Sequence, residues 1–167
     1  MKKIVLLLIT LLLIISLVSC DNSNSIPASK ESIVSKLKTA GYDVDGKKET
    51  SLPNVVKEAD TYHIELISND NYGETGAVIY IVMTNEDEAK ALFNRELNAN
   101  SKYTISNKPK YCKAYYINDP NSTEDIGSTG IIIQHNNIII QATTQWRYPN
   151  NTDGSKKLFK VFEELGY

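Results

Sequence analysis

Two isoleucine triplets separated by a pair of asparagines constrain the fold of this chain more than any other feature. They lie within residues 129–145, on either side of Asn136-Asn137. Asparagine tolerates positive φ better than most residues, so the pair predicts a two-residue type I′ turn that joins two antiparallel strands. A tight turn of fixed length also fixes the register, and with it the face on which each isoleucine lies.

The predicted register divides the isoleucines between the two faces of the hairpin. Ile133 lies opposite Ile140 on one face, and Ile131 lies opposite Ala142 on the same face. Side chains alternate along a strand, so the other members of the triplets point the opposite way. The second face carries Ile132, Gln134, Ile139 and Gln141.

The remaining pattern predicts an α+β fold. Apolar residues at helical spacing predict helices at 29–40, 86–98 and 154–165, and period-two or continuous apolar runs predict strands at 61–68, 76–83, 102–106 and 111–118. Residues 50–56 have no clear period and are left as a loop or a short edge strand. This order with short connections predicts one mainly antiparallel sheet of about five to six strands, with helices packed on one face.

Size and composition indicate a single globular domain. The chain has 167 residues, with 41% hydrophobic and 23% charged residues. It has 18 basic and 20 acidic side chains, and both basic residues of the first three positions lie in an apolar leader, so the rest carries a net charge of −4. The acidic balance argues against a nucleic-acid partner. Two cysteines exclude a disulfide framework.

The first twenty residues have the pattern of an export signal. Lys2 and Lys3 precede an apolar stretch over residues 4–15, and residues 17–20 read Leu-Val-Ser-Cys. The apolar stretch is short for a membrane-spanning helix and has the length of a signal-peptide core.

Residues Leu17-Val18-Ser19-Cys20 resemble the lipobox of bacterial lipoproteins. The resemblance implies transfer of a diacylglyceryl group to the Cys20 sulfur, cleavage just before Cys20, and attachment to the extracytoplasmic side of the cell membrane. It divides the chain into a signal peptide (1–19), a lipidated tether (20–30) and a folded domain (31–167). An uncleaved N-terminal anchor and a soluble secreted protein are the alternatives. The folded part resembles small bacterial surface lipoproteins in size and layout alone, which transfers no functional residue.

No motif for catalysis, a metal or a cofactor stands out. His63 and His135 both lie in strand patterns, and neither has a partner at metal-ligand spacing. Cys112 alternates with polar residues and is interpreted as a core residue. The acidic clusters at 43–46 and 69–74 lack the glycine position of a calcium loop, so they are interpreted as turns. We therefore predict no metal, no cofactor and no catalytic residue.

Apolar side chains on the second face of the sheet suggest an interaction surface. If helices cover one face alone, then Ile132, Ile139, Tyr111, Tyr115 and Trp146 form a partly exposed apolar and aromatic patch. Such patches mark binding sites for partners or ligands. Alternatively, the N-terminal helix or the loop 119–128 covers this face.

Two functions remain open at this point. The first is a membrane-anchored binding or assembly module that contacts another envelope protein, a peptide or a small ligand. The second is a small surface-anchored hydrolase whose active site has no recognisable motif. The absence of a catalytic pattern favours the binding module over the enzyme.

Overall fold

The computed structural model describes residues 27–66, 74–99, 105–106, 114–115, 126–147 and 153–167. The helices are α1 (Lys30–Thr39), α2 (Glu86–Ala99) and α3 (Asp153–Glu164). The strands are β1 (Asp43–Lys48), β2 (Val56–Leu66), β3 (Glu74–Met83), β4 (Ile105–Ser106), β5 (Ala114–Tyr115), β6 (Ile126–His135) and β7 (Ile138–Arg147).

Five strands form one sheet in the order β1-β2-β3-β7-β6, and every neighbouring pair is antiparallel. The two-residue strands β4 and β5 pair with each other apart from this sheet. The predicted α+β class and antiparallel sheet are confirmed. The continuous apolar strand β3 lies in the centre, as its sequence predicts.

The β6–β7 hairpin has the predicted register. Ile133 pairs with Ile140, and Ile131 pairs with Ala142. Asn136 has a φ of 52°. No other described non-glycine residue has a positive φ, so Asn137, the second residue of the turn, does not have one. A type I′ turn needs positive φ at both central residues. That turn type is therefore wrong, although the turn position is right.

Helices cover both faces of the sheet. Helices α1 and α3 pack on the face of Ile133 and Ile140, where Leu37 and Phe162 are fully buried. Helix α2 packs on the opposite face through Ala89, Phe93 and Leu97. The prediction that the helices pack on one face is therefore right for α1 and α3 and wrong for α2. The sheet is the middle layer between two separate apolar clusters.

Local residues in the sequence account for the helix ends. The Ser29 side chain accepts a hydrogen bond from the Ser32 backbone N–H at the start of α1. The Asn85 side chain accepts one from the Glu88 N–H at the start of α2, at 2.9 Å. Gly41 follows α1 with a φ of 94°, a left-handed conformation that a glycine adopts without strain.

Strand β1 was not predicted, since residues 43–46 were interpreted as a turn. The strand pairs with β2, and Val44 alone among its six residues is partly buried. An edge strand with both faces near solvent lacks the apolar alternation on which strand prediction depends. Gly46 lies opposite Tyr62, and a Cβ at this glycine would lie 2.9 Å from the tyrosine ring.

Gly76 lies where β3 passes too close to β7 for a side chain. A Cβ on this residue would lie 2.1 Å from the Thr143 carbonyl oxygen, which belongs to rigid sheet backbone. We expect Gly76→Ala to lower the free energy of unfolding by about 2 kcal/mol or more, measured by urea denaturation. Gly46→Ala is the matched control, because the Tyr62 ring can rotate away. Equal losses in both variants would contradict this account.

Thr144 is fully buried, and its hydroxyl has no hydrogen-bond partner among the described residues. A buried polar group without a partner costs free energy. We expect Thr144→Val, which keeps the shape, to raise the free energy of unfolding by up to about 1 kcal/mol. Thr143→Val serves as the control on the exposed neighbour and should change it little. A clear loss of stability in Thr144→Val would reveal a partner for the hydroxyl.

Candidate functional site

An ionic cluster joins the start of α1 to β2. The Lys30 ammonium donates hydrogen bonds to a carboxylate oxygen of Glu58 and to Asp60 Oδ2, the latter at 2.9 Å. The Asp60 side chain is 11% exposed and lies beneath the helix, whereas Glu58 is 34% exposed at its edge. A buried carboxylate requires such a partner, since burying a lone charge is costly.

The charges of this cluster are paired with one another. The hydrogen bonds to Glu58 and then Asp60 raise the pKa of Lys30 above its ordinary value. Burial raises the pKa of Tyr62 and of Tyr80, and the nearby carboxylates add to both increases. The lysine therefore stays charged, and the two phenols stay neutral at physiological pH. The cluster offers hydrogen bonds and a salt bridge, and its lysine is not poised as a base or nucleophile.

The start of the described domain meets residue 167 next to Lys30 in the chain. The Ala28 N–H donates a hydrogen bond to the hydroxyl oxygen of Tyr167 at 2.8 Å, across a sequence separation of 139 residues. The Tyr167 ring lies near Phe162, with 6.4 Å between the ring centroids. Ala28 is thus hydrogen-bonded to Tyr167, and Lys30, two residues later, forms ion pairs with β2. We call this corner of the domain the entry corner.

A groove lies on the outer side of the helix layer, between α1 and α3. Its cavity volume is about 270 Å³. Lys36 donates a hydrogen bond to Glu164 at 3.0 Å, which lowers the pKa of that carboxyl, and Lys160 lies 4.0 Å from the same residue. The residues lining this lysine groove are Lys36, Thr39, Ala40, Lys157, Lys160, Val161 and Glu164.

The charges of the lysine groove favour an anionic ligand. Three ammonium groups face one carboxylate, and Lys157 and Lys160 are exposed. This groove could not be predicted from the sequence, because its two walls are more than one hundred residues apart in the chain. The lysines of each helix are visible in the sequence, but the antiparallel packing of α1 and α3 that brings them together is not.

The predicted apolar patch is not an exposed surface at its isoleucines. Ile132 and Ile139 are both fully buried, in one cluster with Ala89, Phe93 and Leu97 of α2. The prediction that these isoleucines form a partly exposed surface is therefore wrong. The reason is that the apolar stripe of α2 covers the second face, whereas the N-terminal helix α1 packs on the first. Residues 119–125 of the loop 119–128 lie outside the described residues.

The structure describes two of the three aromatic residues of that patch. Trp146 lies in β7 opposite Gly127, and Tyr115 lies in β5 opposite Ile105. Tyr111 lies outside the described residues. An aromatic surface formed by these three residues stays a prediction from the sequence.

The histidines do not form a metal site in the described part of the chain. His63 is exposed on β2, and His135 is buried at the end of β6. The described residues contain no group of three or more histidine, cysteine, aspartate or glutamate side chains that could hold a metal ion. Cys112 and the second predicted turn cluster, 69–74, lie outside the described residues except for Glu74 at the start of β3.

Comparison with known proteins gives a similarity of fold. Neither a family model nor a curated protein sequence matches the chain. Among solved structures, the chain is similar to the extracellular domain of PknH from Mycobacterium tuberculosis, with a TM-score of 0.50 and 9% identity. The similarity covers 86% of this chain and 99% of that chain. At this identity it supports the fold and transfers no residue.

We expect Lys30→Met to lower the free energy of unfolding by about 1–3 kcal/mol, because Asp60 loses its partner while it remains buried. Lys36→Met is the matched control, since its ion pair with Glu164 is exposed and screened by solvent, so its loss should change stability much less. The double variant Lys30→Met/Asp60→Asn should recover part of the loss. Urea denaturation measures all three, and equal losses for Lys30→Met and Lys36→Met would contradict a structural role of the cluster.

Proposed function

We propose that the protein is a lipoprotein anchored to the extracytoplasmic side of the cell membrane through Cys20, and that its folded domain is a binding module. The surface that carries this function is the lysine groove between α1 and α3. Its preferred ligands are anionic.

Support for the anchor comes from the leader and from the start of the fold. The lipobox-like residues 17–20 end the apolar stretch, and Ala28, at the start of the described residues, is hydrogen-bonded to Tyr167. Seven residues separate Cys20 from Ala28, and their polar, small-residue composition predicts a tether. A flexible tether of that length would span about 15 Å, which would keep the domain near the headgroups. Two acyl chains on one cysteine suffice for stable membrane attachment.

Extracytoplasmic placement agrees with one further observation, since the similar solved structure is an extracellular domain.

Within the described ranges, no helix has both the length and the apolar character that crossing a membrane requires.

The binding role rests on the lysine groove. It is concave, it joins two elements that are distant in sequence, and its positive excess stands out in a domain whose net charge is negative. The ionic cluster at Lys30 does not compete for this role, because its charges are mutually satisfied. No described residue set favours the hydrolase, which remains a prediction from the sequence.

The anchor is tested by mass spectrometry of the protein from the membrane fraction of its own cells. We expect a chain that begins at Cys20, has 148 residues and carries a thioether-linked diacylglyceryl group. Cys20→Ala should yield an unlipidated chain that retains Met1, whereas Cys112→Ala, the matched control, should remain lipidated. An intact Met1 or an unmodified Cys20 in the wild-type protein would refute the proposal.

A further inference from the structure

The helix layer and the opposite side of the domain carry charge of different sign. On the helix layer, α1 and α3 together carry six lysines and four acids, and three of these lysines line the lysine groove. The other side is formed by α2, whose charged residues are four acids and two bases. These are Glu86, Asp87, Glu88, Lys90, Arg95 and Glu96. The three described helices therefore place opposite net charges on the two sides of the sheet.

The anchor enters on the basic side. Ala28 is held by Tyr167, the residue three positions after α3, and α1 begins at Lys30. Both helices that form the lysine groove thus start or finish at the entry corner. A linker of about 15 Å keeps this helix layer within reach of the membrane surface.

The end of the sheet at the entry corner carries exposed charges of both signs. Lys48 pairs with Asp60 in the β1–β2 ladder, and Lys57 lies at the start of β2. Helix α2 begins with Glu86 and Asp87 after Met83, which pairs with Val56. This mixed end attracts an anionic surface less than the lysine groove, whose excess charge is positive, so the groove sets the orientation.

We infer that the domain lies side-on, with the α1–α3 layer against the anchoring membrane, and that the lysine groove binds anionic lipid headgroups of that leaflet. The inference rests on the proposed lipid anchor and names the partner of the same groove. Each lysine near an anionic surface contributes about a fivefold preference for it. That attraction extends over about 8 Å at physiological salt, a distance that the linker allows the groove to reach.

The experiment uses the mature lipidated protein in vesicles of phosphatidylcholine, with and without phosphatidylglycerol. An amine-acylating reagent modifies exposed lysines, and mass spectrometry measures the rate at each site. We expect the rates at Lys157 and Lys160 to fall about fivefold or more when phosphatidylglycerol is present. Lys90 on α2 is the internal reference, and its rate should not change.

Charge reversal supplies the matched variants. Lys157→Glu/Lys160→Glu should abolish the protection of Lys36 by phosphatidylglycerol. Lys90→Glu/Arg95→Glu changes the charge by the same amount on the opposite side and should leave that protection intact. High salt should remove the protection in the wild-type protein.

The outcomes separate the inference from the anchor. Flotation with neutral vesicles reports the lipid anchor, and lysine modification reports the orientation. If the protein floats while Lys157 and Lys160 react equally in both vesicles, the orientation is overturned and the anchor stands. Protection in native membranes but not in phosphatidylglycerol vesicles also overturns it and assigns the groove to a protein or polymer partner. A protein that does not float overturns both.

Discussion

The β6–β7 hairpin is apolar on both faces, and this constraint determines the layered arrangement around it. Ile140 and Ile139 are consecutive residues that are both fully buried, yet they belong to different clusters on opposite sides of the sheet. Burial of each such side chain is worth about 1.5–3 kcal/mol. A single helix layer would have left half of that energy unrealised, so α2 has to lie opposite α1 and α3.

The constraint has a consequence for where function can lie. Helices cover both faces of the sheet where the isoleucines lie. Recognition by the described part of the surface therefore depends on polar and charged groups. The ionic cluster at Lys30 serves the fold, because a buried carboxylate and its ammonium satisfy each other. The lysine groove is different, since its positive excess is exposed and only partly balanced by Glu164.

Local signals in the sequence predicted much of the fold. The caps at Ser29 and Asn85 and the Asn136-Asn137 turn each depend on residues within four positions of one another, and the turn lies where it is predicted. The α+β class follows from the order of such elements. Strand β1 escaped prediction because an edge strand exposed on both faces carries no apolar period.

The candidate site depended on information that a single sequence does not contain. The stripe Ala89, Phe93 and Leu97 shows that α2 buries one side, but not which face of the sheet it covers. The lysine groove arises from contacts such as Lys36 with Glu164, which are 128 residues apart. Side-chain spacing within each helix cannot reveal which partner helix it will meet.

The polar edge strand β1 also bears on how copies of this domain behave when they are crowded together. An unpaired strand edge is a template for pairing with a second chain, and folded proteins blunt it with charge. Asp43, Asp45, Lys47 and Lys48 supply four charges along six residues, and the ring of Tyr62 occupies the space above Gly46. Neighbouring copies on a shared surface would therefore resist pairing through β1.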